Sequence, residues 1–155
     1  MMRKALWTAI GLALVLPIAS DSVRGQDSGK KVISTPNAPE AIGPYSQAIR
    51  VGKTLYLAGQ VAIDPKTKKF MADASIEDQT RQTLENLKAV LEADGLTMDN
   101  VVSTSVFLQD LNDFGKMNQV YGTYFKTAPP ARATVQVARL PLDAKVEISA
   151  IAVAP

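Results

Sequence analysis

The sequence predicts an α+β domain, a mixed β-sheet with two helices laid on one face. Two stretches space their apolar residues as helices do: Leu84, Leu87, Val90 and Leu91, then Phe114, Met117, Tyr121, Tyr124 and Phe125. Around them run segments that alternate or are densely β-branched, at 32–34, 46–50, 54–63, 101–108, 132–137 and 146–152. The 155 residues suit one domain, since about 150 is the usual allotment.

Residues 1–25 resemble a secretory signal peptide, which leaves 26–155 as the single domain. Arg3 and Lys4 make a basic start, Ala5 through Ala19 is uncharged and apolar, and Pro17 breaks the run near its end. That run is short for a transmembrane helix, which needs about twenty apolar residues. Cleavage is expected after Gly25, with Val23 two residues before it, or earlier, after Ala19 or Ser20. The expected location is therefore periplasmic or secreted, with no membrane attachment after cleavage; a misassigned start would leave the protein cytoplasmic.

Val32-Ile33-Ser34 forms a first short strand, and Pro36, Pro39, Gly43 and Pro44 force an irregular loop ending at Tyr45. Val51-Gly52-Lys53 turns the next two strands into a hairpin, and Asp64-Pro65-Lys66-Thr67 makes another turn. Ser75 opens the first helix three residues before Asp78, an acidic variant of the capping box, and Gly95 ends it. Val101 to Leu108 reads as a buried strand. Asn112 or Asp113 can cap the second helix, which Pro129 and Pro130 close. Helices on one face leave the other needing a cover, which invites self-association.

Composition removes whole classes of chemistry. With no histidine and no cysteine there is no Ser-His-Asp or Cys-His catalysis, no usual zinc or iron–sulfur site and no disulfide. The acids are scattered, so no carboxylate metal site is expected either. Residues 1–25 hold three of the 17 basic side chains and one of the 15 acidic ones, so the remainder carries 14 of each. That balance leaves no nucleic-acid footprint. Arg, Glu, Tyr, hydroxyls, backbone groups and water must do the chemistry.

The end of the chain is where those groups concentrate. After Pro129-Pro130 the segment alternates, with Arg132, Thr134 and Gln136 on one face and Ala133, Val135 and Val137 on the other. Leu140-Pro141-Leu142-Asp143 turns into a last strand, where Val146, Ile148 and Ala150 share a face and Glu147 falls opposite. An ionisable residue in so apolar a run is costly unless it is paired or used. The expectation is one cation and one carboxylate on adjacent strands.

These residues resemble the signature of the RidA/YjgF family, the reactive-intermediate enamine/imine deaminases. The blocks are Asn37-Ala38-Pro39, Ile42-Gly43-Pro44-Tyr45-Ser46-Gln47, Ala58-Gly59-Gln60, Leu111-Asn112-Asp113-Phe114 with Asn118, Pro130-Ala131-Arg132, Val135 through Pro141, and Val146-Glu147-Ile148. They stand in the family's order and cover roughly residues 32–154. The resemblance implies a chorismate-mutase-like fold assembled as a homotrimer, with active sites in clefts between subunits. It implies cofactor-free hydrolysis of small 2-enamine/2-imine acids to 2-keto acids and ammonia.

On that reading Arg132, Glu147 and Tyr45 are the catalytic set, and Gly59, Thr134 and Asn118 join Arg132 in binding substrate. Arg132 presents a planar fork suited to a carboxylate and stays protonated; its plain alternative is a strand-end pairing with a nearby acid. Glu147 would position or activate water; its alternative is a structural pairing with Lys145 or Arg139. Tyr45 would wall a small pocket or simply pack at an interface, and Asn118 would reach the cleft or merely face solvent. Gly59 admits a close backbone approach. Ser149 stands where the family often carries a second carboxylate, so no paired-carboxylate mechanism is expected. Some relatives have cysteine at the place of Thr134 and a hydroxyl residue at that of Ala58. Two other functions compete: a module that binds small keto or imino acids without turnover, and an endoribonuclease, which the charge balance disfavours.

Overall fold

A computed structural model describes residues 29–155, and the leader read at 1–25 lies outside them. The main sheet has six strands: β1 (Lys31–Ile33), β2 (Ala48–Val51), β3 (Thr54–Gln60), β6 (Val101–Leu108), β7 (Ala131–Gln136) and β8 (Val146–Val153). Their order across the sheet is β1-β2-β3-β8-β6-β7, and only β6 and β7 pair in parallel. A two-stranded hairpin, β4 (Ile63–Asp64) and β5 (Lys69–Phe70), carries the turn expected at 64–67. The two helices, α1 (Ile76–Ala93) and α2 (Phe114–Tyr124), pack on one another and on one face of the sheet. This is the expected α+β architecture.

Local chemistry explains the boundaries. Ser75 Oγ accepts the Asp78 backbone N–H at 3.1 Å, so one orphan donor of α1 is satisfied. Asp78 Oδ2 accepts the Ser75 hydroxyl rather than its backbone N–H, so the box closes only halfway. At the other end Gly95 adopts φ +72°, and the Gly95 and Leu96 N–H groups donate to the Glu92 and Leu91 carbonyls. Entry to α2 differs from expectation. Asp110 accepts from the Asn112 N–H at 2.9 Å and caps a 3-10 turn, Leu111–Asp113, that runs straight into the helix. The Asp113 side chain makes no cap bond, because that turn already leads the backbone in.

The core lies between sheet and helices. Leu84, Leu87, Val90 and Leu91 of α1 are all at most 1% exposed and meet Leu55, Val106, Ile148 and Ala152 from the strands in one cluster. Full burial of such side chains contributes about 1.5–3 kcal/mol each. The opposite sheet face carries Val32, Tyr56, Val135 and Val153, all exposed. Paired registers place Ile49 and Ile151 on that same face.

β7 reverses the usual reading of an alternating strand. Register pairs Arg132 with Thr104 and Thr134 with Val106, so the polar set faces the helices. Ala133 and Val135 face the open side and are exposed. The reason is tertiary: Tyr121 of α2 and Thr104 of β6 supply a polar and aromatic seat on the helix side, described next.

Candidate functional site

The expected site residues fall into two groups on opposite faces of the sheet. The first is built around Glu147. Its neighbours Val146 and Ile148 are fully buried against the helices, which turns Glu147 to the open face, opposite Phe107 of β6. There it lies against Gly59: a Cβ at that position would fall 2.8 Å from Glu147 Cδ, so only glycine leaves room for the carboxylate as it sits. Glu147 is half-buried, and burial alone pushes its carboxyl above the ordinary carboxylate range. Neither expected structural partner binds it. Arg139 forks onto Asp143 instead, at 2.6 and 2.9 Å, and Lys145 makes no salt bridge among the described residues.

Tyr45 joins this group from the irregular loop. Its hydroxyl accepts from the Ile42 N–H at 3.4 Å and its own N–H donates to Gly43 O, which keeps the ring folded over the loop. Tyr45, Gly59 and Glu147 line one cavity of about 390 Å³, together with Ile42, Pro141 and Leu142.

The second group is built around Arg132. Its guanidinium carbon sits 4.5 Å from the Tyr121 ring centroid and 5.6 Å from that of Phe114, a cation–π seat of the kind arginine favours. The Tyr121 ring is fixed by a 2.7 Å hydrogen bond between its hydroxyl and Thr104 Oγ1, and by Phe125 packed at 4.6 Å. Burial pushes the Tyr121 phenol up, against the opposing pulls of Thr104 and Arg132. Among the described residues no acid forms a salt bridge with Arg132, so its fork is held on aromatic faces rather than paired. Asn118 is exposed on α2 and lines a cavity of about 340 Å³ with Arg132, Tyr121 and Pro130. Thr134 is on the same face two residues on; its hydroxyl is buried without a hydrogen-bond partner among the described residues.

The expectation of adjacent strands is therefore corrected. β6 lies between β7 and β8, and Arg132 and Glu147 point to opposite faces. A chain that hugs one helix between two parallel strands places them side by side, β6 beside β7, and β8 enters on the far side of β6. Within one copy the structure brings together Tyr45, Gly59 and Glu147, and separately Arg132 and Asn118. Among the described residues no group of three acidic side chains gathers closely enough to hold a metal ion.

Three buried amides that hold these groups in place escape a sequence reading. Gln47, 4% exposed, donates to the Thr35, Ala38 and Pro39 carbonyls and accepts from the Thr35 N–H, tying the Tyr45 loop to the sheet. Asn86 donates to Val61 O and Ile63 O just beyond Gly59. Gln79 bridges Met71 O and the Lys145 N–H, fixing the entrance to β8 two residues before Glu147. Only Gln47 stood in a recognisable block; the other two look like ordinary polar positions of a helix.

A small α+β domain with a carboxylate cavity and an edge arginine defines a class, and comparison with known proteins places it. The family model described as Endoribonuclease L-PSP matches residues 35–154, and the chain belongs to that family, which is the RidA/YjgF family. It is 55% identical over 123 residues to a RutC family protein of Pyrococcus horikoshii, covering 79% of this chain and 97% of that one. It is 51% identical over 124 residues to the 2-iminobutanoate/2-iminopropanoate deaminase of Mus musculus, covering 80% and 91%. Among solved structures it resembles E. coli TdcF with bound serine, at a TM-score of 0.78 and 44% identity over 81% of this chain and all of that one.

Proposed function

We propose that the protein hydrolyses 2-imino acids, formed from their enamine tautomers, to 2-keto acids and ammonia. The observation that carries this reading is Glu147, a half-buried carboxylate with a raised pKa and no ion-pair partner among the described residues, walling a cavity with Tyr45 and Gly59. The mouse relative's name points to the same chemistry.

Arg132 receives the substrate carboxylate in a bidentate grip, and Asn118 and the backbone at Thr134 and Gly59 border the bound acid. Glu147 holds a water against C2 of the imine and accepts its proton as the C–O bond forms. The imine nitrogen takes up a proton from solvent as the adduct forms. Glu147 then passes its proton through water to the amine nitrogen, and the C–N bond breaks to release ammonia. The hydroxyl gives its proton to solvent, leaving the C2 carbonyl. The Tyr45 hydroxyl borders the cavity and orients the attacking water by a hydrogen bond, without giving up its proton. Water is the only co-reactant, and positioning supplies most of the acceleration.

Since Arg132 and Glu147 of one copy face opposite ways, the site is made between copies, Arg132 from one and Glu147 from its neighbour. A homotrimer closing on the apolar open face fits that requirement. The chain is proposed to act after export, its leader at 1–25 removed. The runner-up is a module that binds keto or imino acids without turnover. The family's description favours a nuclease as a further reading, but equal acidic and basic counts after residue 25 offer RNA no field.

The test uses an amino-acid oxidase to generate 2-imino acids in the presence of semicarbazide, which competes for them. The purified protein is expected to divert the imine to keto acid before semicarbazide traps it. Unchanged trapping across several imines, with tight keto-acid binding, would put the binding module first.

A further inference from the structure

The turn before β8 is the most strained segment among the described residues. Leu142 adopts φ +59° and ψ +18°, and Asp143 follows at φ +56°, two consecutive non-glycine residues in the left-handed region. That region is unfavourable for any residue with a Cβ and is an outlier for one as bulky as leucine. Glycine would relieve it at either position.

The surrounding contacts hold the strain. Leu140 and Ala144, on either side, are buried at 6% and 0% exposure. The Asp143 and Ala144 N–H groups donate to Leu140 O and Pro141 O, each at 3.1 Å. Arg139 grips both Asp143 oxygens from outside. The Leu142 side chain makes none of these anchoring bonds; it remains about half exposed and, with Pro141, lines the Glu147 cavity. Strain that persists because its neighbours enforce it points to a use for the side chain so presented.

Leu142 is not alone there. Ile42, 75% exposed, and the Tyr45 ring line the same cavity, so three large apolar groups contribute to its wall. The cavity's carboxylates are Glu147, which has no ion-pair partner among the described residues, and Glu40, which Lys68 pairs at 3.1 Å from outside the lining; no lysine or arginine lines the cavity itself. A substrate whose carboxylate is held elsewhere, by Arg132, would meet apolar surface with its side chain and repulsion with any second carboxylate. At about 390 Å³ the space exceeds what a methyl or ethyl group fills and lies within the range of small-ligand pockets.

Resting on the deaminase reading above, we propose that Leu142, held in a left-handed turn, forms with Ile42 and Tyr45 a side-chain pocket that selects 2-imino acids bearing larger apolar side chains over those bearing a second carboxylate. Leu142 is thus a specificity-determining residue.

The test compares kcat/KM for imines generated from leucine, methionine and phenylalanine with that for the imine generated from glutamate. The apolar group is expected to lead by at least about tenfold, the scale on which small changes in an apolar pocket discriminate. Leu142→Gly relaxes the backbone and removes the wall, so it is expected to fold and to lose most of that ratio, through KM for the apolar imines. Leu142→Met is expected to restore it, which a purely structural role would not require. Equal rates on all imines, or a ratio unmoved in Leu142→Gly, would overturn the proposal while leaving the deaminase reading standing. If no imine is turned over, the deaminase reading fails, and calorimetry with 4-methyl-2-oxopentanoate against 2-oxoglutarate decides the pocket. Tighter binding of the former, weakened in Leu142→Gly, would uphold it; equal binding would overturn it.

Discussion

Glu147 and Gly59 occupy complementary space: a Cβ on Gly59 would fall 2.8 Å from Glu147 Cδ and closer still to Oε1. The atoms it would displace are the free end of a flexible side chain. Gly59→Ala should therefore fold and yet move the carboxylate. A shift of about 1 Å can cost on the order of a hundredfold in rate, so we expect kcat to fall by one to two orders of magnitude. Unfolding by denaturant, measured beside activity, should show little change.

Burial raises the Glu147 pKa, and this sets the pH behaviour. As a base Glu147 must be ionised, so the acidic limb of kcat/KM should lie above the ordinary carboxylate value of about 4.3 and vanish, with most of the activity, in Glu147→Gln. Stability moves the other way. Between the unfolded and the folded pKa the native chain holds more protons, so stability falls as pH rises through that window. Thermal unfolding followed across the window should show this loss in wild type and not in Glu147→Gln.

Gln47 makes four hydrogen bonds from a buried side chain. Gln47→Leu strands the Thr35 N–H and three carbonyls, and each unsatisfied buried group costs about 1–3 kcal/mol. Loop relaxation toward water will recover part of that, leaving an expected loss of about 3 kcal/mol in denaturant unfolding. Because the same loop carries Tyr45, activity should fall as well.

How far the sequence foretells this molecule differs by element. Val101–Leu108 stands as a strand with the bounds its β-branched run predicts, and Ser75 and Gly95 bound α1 because their capping chemistry is local. Face assignment is not local. Alternation in β7 separates Arg132 from Val135 correctly, but which set meets the helices depends on Tyr121 and Thr104, contributed by other elements. The spacing of Arg132 and Glu147 likewise misleads, since strand order is set by the crossover through α2 and the insertion of β8 next to β6. Gln79 and Asn86 find their partners in other elements, beyond the reach of any periodicity.

The aromatic seat under Arg132 yields a graded test. Tyr121→Phe keeps the ring and loses the Thr104 bond; Tyr121→Ala loses both. A cation–π contact is worth about 0.5–2 kcal/mol depending on desolvation. Substrate KM should therefore change little in the first variant. In the second it should rise several-fold to about thirtyfold.

The measurement that bears most directly on the account is subunit mixing. Arg132→Ala and Glu147→Ala are each expected to be inactive in the semicarbazide competition assay. Unfolded together in equal amounts and refolded, they should regain about a quarter of wild-type activity, because each site between two copies draws an intact Arg132 and an intact Glu147 with a chance of one half each. Recovery at that level would mean imine hydrolysis at a site shared between copies. No recovery from two variants that fold and assemble like wild type would contradict the shared site, and a wild type that leaves imines untouched would contradict the enzyme itself.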